Sequence, residues 1–109
     1  MMNEMNRAPE TDFETEPAEG GVRITGYNGY GGDVMIPPTI GGEKVMEIGD
    51  CAFHSCEWLE CITIPEGVTC IGNGSFDINR HDGLIKLRVH EGSYAHRYAM
   101  DHNIPCELI

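Results

Sequence analysis

Apolar residues recur at alternate positions in several short stretches of the chain, and proline or glycine ends many of these stretches. Ile62 and Ile64, for example, flank Thr63 directly before Pro65. A spacing of two places successive side chains on opposite faces of an extended strand. Proline ends such a strand because it cannot donate a ladder hydrogen bond. The pattern therefore predicts short β-strands for most of the chain.

The strand pattern repeats along the chain with a period of roughly 23 to 28 residues. The corresponding segments are 36–37 and 64–65, 48–53 and 71–76, and 59–64 and 84–89. Phe53 and Phe76 occupy matching places in this repeat, and we predict that both rings fill the core. Glycine follows Ile48 and Ile71, where it permits a tight corner. A repeat of this length is typical of proteins built from stacked units.

One copy of the repeat carries a specific series of residues. In order, these are Ile36-Pro37, Ile48-Gly49, Ala52-Phe53, Cys56, Leu59 and Ile64-Pro65. The series resembles a full repeat of the BspA-type leucine-rich-repeat family. The second copy departs from the pattern at 77–80, and His90 stands where the next proline would be. The resemblance covers residues 22–109 and implies a right-handed solenoid of short strands and turns with a short C-terminal capping helix.

The same resemblance divides the chain into parts. Residues 21–109 are expected to form a single leucine-rich-repeat domain. Within it, we assign an N-terminal β cap to 21–36, the two repeats to 36–64 and 64–89, and a C-terminal helix and strand cap to 90–109. Ser93 is a suitable residue to cap the helix start, and Asn103 a suitable residue to stop it.

Residues 1–20 differ from the rest of the chain in composition. They hold six acidic residues, one basic residue and two prolines, with little hydrophobic periodicity. Segments of low hydrophobicity and high net charge do not bury enough apolar surface to order themselves. We therefore predict that residues 1–20 form a disordered acidic leader.

Charge and length limit the function further. The 109 residues fit one domain, and the formal net charge is −11. Such a charge repels nucleic acid and anionic membranes. The sequence contains no signal peptide and no apolar run near the roughly 20 residues that span a bilayer. We expect a cytoplasmic chain as written, or a surface or secreted one if it is a fragment of a longer family member.

The chain offers little catalytic or metal-binding chemistry. Its five cysteines have no CxxC spacing, and of its five histidines only His96 and His102 share a predicted element, where a spacing of six puts them on different faces. The even spacing of Cys51, Cys56 and Cys61 leaves a metal site as a minor alternative, and Cys61 or Cys70 with a histidine leaves a thiol nucleophile as another. The glycine-rich stretch 26–32 lacks the lysine and helix of a phosphate loop. We predict no enzyme activity, no cofactor and no metal.

Outward-facing side chains define a candidate binding surface. Strand alternation turns Met35, Cys61, Thr63, Lys86 and Arg88 away from the core, on what is the usual ligand face of stacked repeats. Trp58 is expected to be partly exposed, either as an interface anchor or as edge packing. Tyr27 either packs under the first unit or, with Tyr30, stacks on a ligand. The candidate interaction residues are Trp58, Thr63, Lys86, Arg88 and Tyr30.

The resemblance implies a non-enzymatic module for protein–protein interaction or adhesion. Members of the family are often surface or secreted adhesion-type proteins of bacteria and some protists. The expected partner is an unknown protein, with host-surface or matrix proteins among the candidates. The alternative is a small self-associating structural subunit, for example a homodimer through a sheet edge.

Overall fold

The computed structural model describes residues 9–29, 31–53, 58–76 and 85–109. A 3-10 turn at Glu10–Asp12 comes first. The elements that follow are β1 (Phe13–Ala18), β2 (Gly21–Tyr27), β3 (Gly32–Met35), β4 (Thr39–Ile40), β5 (Glu43–Ile48), β6 (Leu59–Thr63), β7 (Cys70–Ile71), β8 (Lys86–Val89), α1 (Tyr94–Asp101) and β9 (Cys106–Leu108).

The strands form two sheets, and the chain visits them alternately. In the first sheet β2, β5 and β7 run parallel, β1 pairs antiparallel with β2, and β4 pairs antiparallel with β5. The second sheet is wholly parallel, in the order β3-β6-β8-β9. The pairs β2–β3, β5–β6 and β7–β8 are thus stacked units that each give one strand to each sheet.

Corresponding residues of successive units are direct neighbours. Ile48 pairs with Ile24 and Ile71 in the first sheet, and Ile62 pairs with Val34 and Leu87 in the second. The register confirms the predicted repeat of strands. It also shows that the segment interpreted as an N-terminal cap, 21–36, contributes a β2–β3 unit of the same kind.

Aromatic rings form a continuous row through the core, which we call the aromatic ladder. Its members are Phe13, Tyr27, Phe53, Phe76 and Tyr98. Ring centroids are 5.2 Å apart for Phe13 and Tyr27, 5.4 Å for Tyr27 and Phe53, 5.6 Å for Phe53 and Phe76, and 6.3 Å for Phe76 and Tyr98. Phe53 and Phe76 are both buried, as predicted. These separations are typical of favourable aromatic contacts.

Successive units approach one another closely at the isoleucine–glycine corners. The Gly49 N–H donates to the Ile24 carbonyl, and the Gly72 N–H donates to the Ile48 carbonyl, both at 2.7 Å. A Cβ atom on Gly72 would lie 2.2 Å from Asp50 Oδ1 and 2.6 Å from the Asp50 nitrogen. Glycine is therefore needed at 72 because the neighbouring unit leaves no room for a side chain.

The C-terminal cap follows the sequence prediction closely. The Ser93 hydroxyl accepts a hydrogen bond from the His96 N–H at 3.1 Å, so Ser93 caps α1. The helix buries Ala95 and Ala99, and Asn103 follows it with a φ of 57°. Asparagine tolerates this left-handed conformation and so terminates helices well.

The prediction of a disordered leader is wrong for residues 10–18. These residues form the 3-10 turn and β1, which pairs with β2 from Phe13 to Ala18. Phe13 is 7% exposed and opens the aromatic ladder, while Glu14 and Glu16 remain exposed. The composition concealed the strand because its charges lie outside and a single ring supplies the buried contact. Residues 1–8 lie outside the described part of the chain.

Candidate functional site

The outer face of the second sheet carries two rows of side chains, which we call the strip. In the first row Cys61 lies between Asp33 and Lys86, and in the second row Thr63 lies between Met35 and Arg88, with Glu107 next to Arg88. The residues between these on each strand, Val34, Ile62 and Leu87, are at most 2% exposed. Because side chains alternate along a strand, the strip faces away from the core.

Arg88 joins three strands of the strip. Its Nη1 lies 2.8 and 2.9 Å from the two carboxylate oxygens of Asp33, and its Nε lies 3.2 Å from Oε1 of Glu107. Asp33 is on β3 and Arg88 on β8, with β6 between them. The guanidinium therefore crosses the central strand, a span of about 10 Å at the usual strand spacing. We call this set of contacts the Arg88 bridge.

The Arg88 bridge buries two positions that alternation predicts to be exposed. Cys61 is 7% and Thr63 is 6% exposed, so the expectation that Thr63 belongs to an accessible binding surface is wrong. Both lie on β6, under the side chain that passes from β8 to β3. Burial raises the pKa of the Cys61 thiol, and the positive charge of Arg88 offsets part of that rise. The Thr63 Oγ1 has no hydrogen-bond partner in the described part of the chain.

The charged side chains of the strip form ion pairs with one another. Lys86 Nζ lies 3.4 Å from Oε1 of Glu107, which also accepts from Arg88. Hydrogen bonds from Arg88 and Lys86 lower the pKa of the Glu107 carboxyl, and hydrogen bonds to Asp33 and Glu107 raise the pKa of Arg88. The strip thus presents two cations on β8, with one carboxylate on β3 and another on β9 at its two sides.

Trp58 lies at the amino end of β6, next to the start of β3. Its side chain is 60% exposed, while Leu59, the next residue, is fully buried. The Gly32 N–H donates to the Trp58 carbonyl at 2.7 Å, which holds this backbone against β3. The predicted exposure of Trp58 is confirmed.

The structure describes one of the two tyrosines of the glycine-rich stretch. Tyr27 is half-buried and lies in the aromatic ladder, as its predicted packing role requires. Tyr30 lies outside the described residues. Of the predicted interaction residues, the structure thus gathers Lys86, Arg88 and the covered Thr63 on one face, with Trp58 at its end.

The cysteines and histidines that the structure describes form no metal cluster. Within the ranges given above, no group of three or more His, Cys, Asp or Glu residues could hold a metal ion. Cys51, Cys61, Cys70 and Cys106 are free thiols. Cys56, His54 and His81, which belong to the metal and catalytic alternatives, lie outside the described ranges. None of the described helices is long and apolar enough to cross a membrane.

The two carboxylates that fix Arg88 were not among the predicted interaction residues. Asp33 and Glu107 lie on the two outer strands of the second sheet, 55 and 19 residues from Arg88 in sequence. A signal for Asp33 was present, since it alternates with the buried Val34 and therefore faces the same way as Met35. Opposite charges at equivalent outward positions of neighbouring repeats are the pattern to look for.

Comparisons with known proteins agree with this architecture. No protein-family model matches the chain, and no curated protein matches it. Among solved structures, the crystal structure of a leucine-rich-repeat protein of T. pallidum is similar, with a TM-score of 0.59 and 30% sequence identity. The similarity covers 82% of this chain and 46% of that protein, so the chain spans less than half of its relative's length.

The stacked strands and this similarity point to one class of protein. Parallel strands stacked one per repeat around a continuous core are typical of leucine-rich repeats. The similarity to the T. pallidum protein supports a leucine-rich-repeat family for this chain. A leucine-rich-repeat fold is typically a non-enzymatic scaffold for protein interactions.

Proposed function

We propose that this chain is a protein-interaction module of the BspA type, wound as a right-handed solenoid, whose binding surface is the strip together with Trp58. The observation that carries this proposal is the Arg88 bridge across the strip, with an exposed tryptophan at the amino end of β6. Arginine and tryptophan are the residue types most enriched where binding energy concentrates. The bridge also fixes the guanidinium before a partner arrives, which lowers the entropic cost of binding.

The charge arrangement of the strip favours a protein partner. Asp33 and Glu107 alternate with Lys86 and Arg88, so a complementary surface must carry both signs in matching places. Nucleic acid and anionic lipid carry one sign only, and the chain as a whole bears a formal charge of −11. An adhesion-type partner, such as a host-surface or matrix protein, is the finer form of this proposal and rests on the family resemblance.

Capture by the full chain tests the proposal with two matched pairs of variants. Immobilised wild type is exposed to lysate of the source cell and, separately, to extracellular-matrix protein. Trp58→Ala is compared with Tyr94→Ala, which removes another exposed aromatic ring, and Arg88→Ala is compared with Arg97→Ala on α1.

We expect a saturable partner that Trp58→Ala and Arg88→Ala lose and that both controls retain. Circular dichroism checks that the variants remain folded. A partner that all four variants retain equally contradicts the assignment of the strip.

A second candidate, self-association, is favoured by the exposed C-terminal edge. Met100, Leu108 and Ile109 are 63%, 48% and 55% exposed. Pro105 and Ile109 bond to β8, so the backbone groups of Cys106 and Leu108 face the open side of β9. Sedimentation equilibrium of wild type and Leu108→Lys, with Thr69→Lys as control, tests this candidate. An oligomer that only Leu108→Lys abolishes supports it, and a wild-type monomer at every concentration excludes it.

A further inference from the structure

A groove lies at the carboxyl ends of β3, β6 and β8, and it shares Met35 and Thr63 with the strip, while its lining includes none of the strip's charged residues. Its volume is about 420 Å³ and its walls are mainly apolar. The apolar lining includes Ile36, Pro38, Val45, Ile64, Pro65 and Ile109. The groove follows from the repeat itself, because each strand ends at the same level and proline then turns the chain away. A volume of this size is in the usual range for a ligand site.

One polar group in the lining is left without a partner. Thr63 lines the groove and is 6% exposed, yet its Oγ1 has no hydrogen-bond partner among the described residues. Buried hydroxyl groups in folded proteins are nearly always bonded, and an exception calls for a reason. A ligand in the groove that exchanges a hydrogen bond with Thr63 supplies that reason.

Three ionisable side chains also line the groove. Lys44 is exposed and forms no ion pair with the described residues, unlike Lys86 and Arg88. His90 occupies the place that Pro37 and Pro65 hold in the earlier units. Glu66 is the carboxylate side chain in the lining. Lys44 is thus the cation of the lining, and it is the group that can pair with one carboxylate of a ligand.

We propose that this groove binds a short peptide C-terminus with apolar side chains, whose carboxylate lies beside Lys44. The lining comes from three successive units, a distance of about 10 Å, which an extended segment of about three residues matches. Apolar side chains then contact the proline-bordered walls, a peptide carbonyl or N–H meets the Thr63 hydroxyl, and Lys44 pairs with the terminal carboxylate. The proposal does not depend on the binding role of the strip.

The test uses two small probes and the full chain. The probes are acetyl-Leu-Val-Leu with a free carboxylate and the same peptide as its C-terminal amide. Each is titrated, to about 10 mM, into ¹⁵N-labelled protein while backbone amide shifts are recorded, since weak binding of this kind falls in the millimolar range. We expect saturable shifts at Lys44, Gly67 and His90, with the carboxylate binding about threefold to fivefold more tightly than the amide.

Three variants test whether the peptides bind in the groove and whether Lys44 recognises the carboxylate. Lys44→Gln should lower the affinity for the carboxylate to that for the amide, whereas Lys86→Gln on the strip should leave both unchanged. Gly67→Trp should abolish binding of both peptides by filling the groove. Gly67 lines the groove, has no atom within 4 Å of a Cβ placed on it and has no positive φ, so the substitution is compatible with the fold.

Either of two results overturns the proposal. One is the absence of saturable shifts with both peptides in a protein whose spectrum is well dispersed. The other is binding that is indifferent to the carboxylate or to Gly67→Trp, which would place the peptide elsewhere or give it another mode of recognition.

Discussion

Gly72 and Gly67 show how the packing of neighbouring units constrains single residues. A Cβ on Gly72 would lie 2.2 Å from Asp50 Oδ1, whereas a Cβ on Gly67 meets no atom within 4 Å. Neither glycine has a positive φ, so the difference between them lies in the space around each residue. The sequence pattern identified the corner after Ile71, but not that the opposing unit fills the space beside it.

We expect Gly72→Ala to destabilise the chain by about 1–3 kcal/mol, the usual cost of overpacking. Gly67→Ala is the matched control and should change stability by no more than about 0.5 kcal/mol, as at other open surface positions. Urea unfolding followed by circular dichroism measures both. Equal midpoints for the two variants would show that the units are not in contact at Gly72.

The reactivity of the Cys61 thiol measures how well the Arg88 bridge covers it. Asp33→Asn weakens the bridge, which should uncover the thiol. It also removes a negative charge that raises the pKa of Cys61. Both effects increase the reactive thiolate at a given pH.

The rate of iodoacetamide alkylation at Cys61 should therefore rise in Asp33→Asn, in a chain whose other cysteines are serine. Asp101→Asn, which changes an exposed carboxylate on α1, should leave the rate unchanged. An unchanged rate in Asp33→Asn would mean that the bridge does not shield the thiol.

At the scale of elements, the ion pairs of Glu107 support the pairing of β8 with β9. Its carboxyl pKa lies below the ordinary value of 4.5 because Arg88 and Lys86 donate hydrogen bonds to it. A carboxyl with a lowered folded-state pKa contributes stability that is fully present above the unfolded pKa. That contribution is lost as the pH falls through the folded-state pKa.

We therefore expect the wild type to exceed Glu107→Gln in urea midpoint by a constant amount above about pH 5. The difference should shrink and vanish on acidification, and high salt should reduce it at neutral pH because the pair is exposed. Glu60→Gln, an exposed carboxylate on β6, is the control. A difference that grows towards low pH would contradict the proposed ion pairs.

Sequence reasoning predicted some elements well and others poorly, for physical reasons. Helix α1 was predictable because Ser93, Asn103 and the helical spacing of the apolar residues Tyr94, Ala95, Tyr98 and Ala99 are local signals. Strand β1 was not, because its single buried ring acts through contacts with Tyr27 and Phe53 rather than through a pattern of its own. The burial of Thr63 was also beyond local reasoning, since it depends on an arginine from the next unit.

At the scale of the whole molecule, the stacked units have a different covering at each end. Strand β1 lies against the first unit, and α1 with β9 lies against the last. Stacked repeats need such terminal elements because an uncovered unit exposes apolar surface. Strand β1 thus covers one end of the aromatic ladder with Phe13, and its acidic side chains face outward.

A chain that begins at residue 21 should unfold at lower urea than the full chain, because it lacks the β1–β2 pairing and the Phe13 ring. Phe13→Ala in the full chain should cost about 3–5 kcal/mol, as other buried phenylalanines do. Thr15→Ala, at an exposed position of the same strand, should cost far less. Equal stability of the full and shortened chains would show that β1 does not act as a cap.

The central claim is that the strip and Trp58 form the surface that binds a partner. Photo-crosslinking tests it most directly, with Trp58 replaced by benzoylphenylalanine and, in a second chain, Tyr94 replaced in the same way. After capture and illumination, we expect a single cross-linked adduct from position 58 and none from position 94. An adduct from position 94 alone would place the partner on the C-terminal cap and contradict the account.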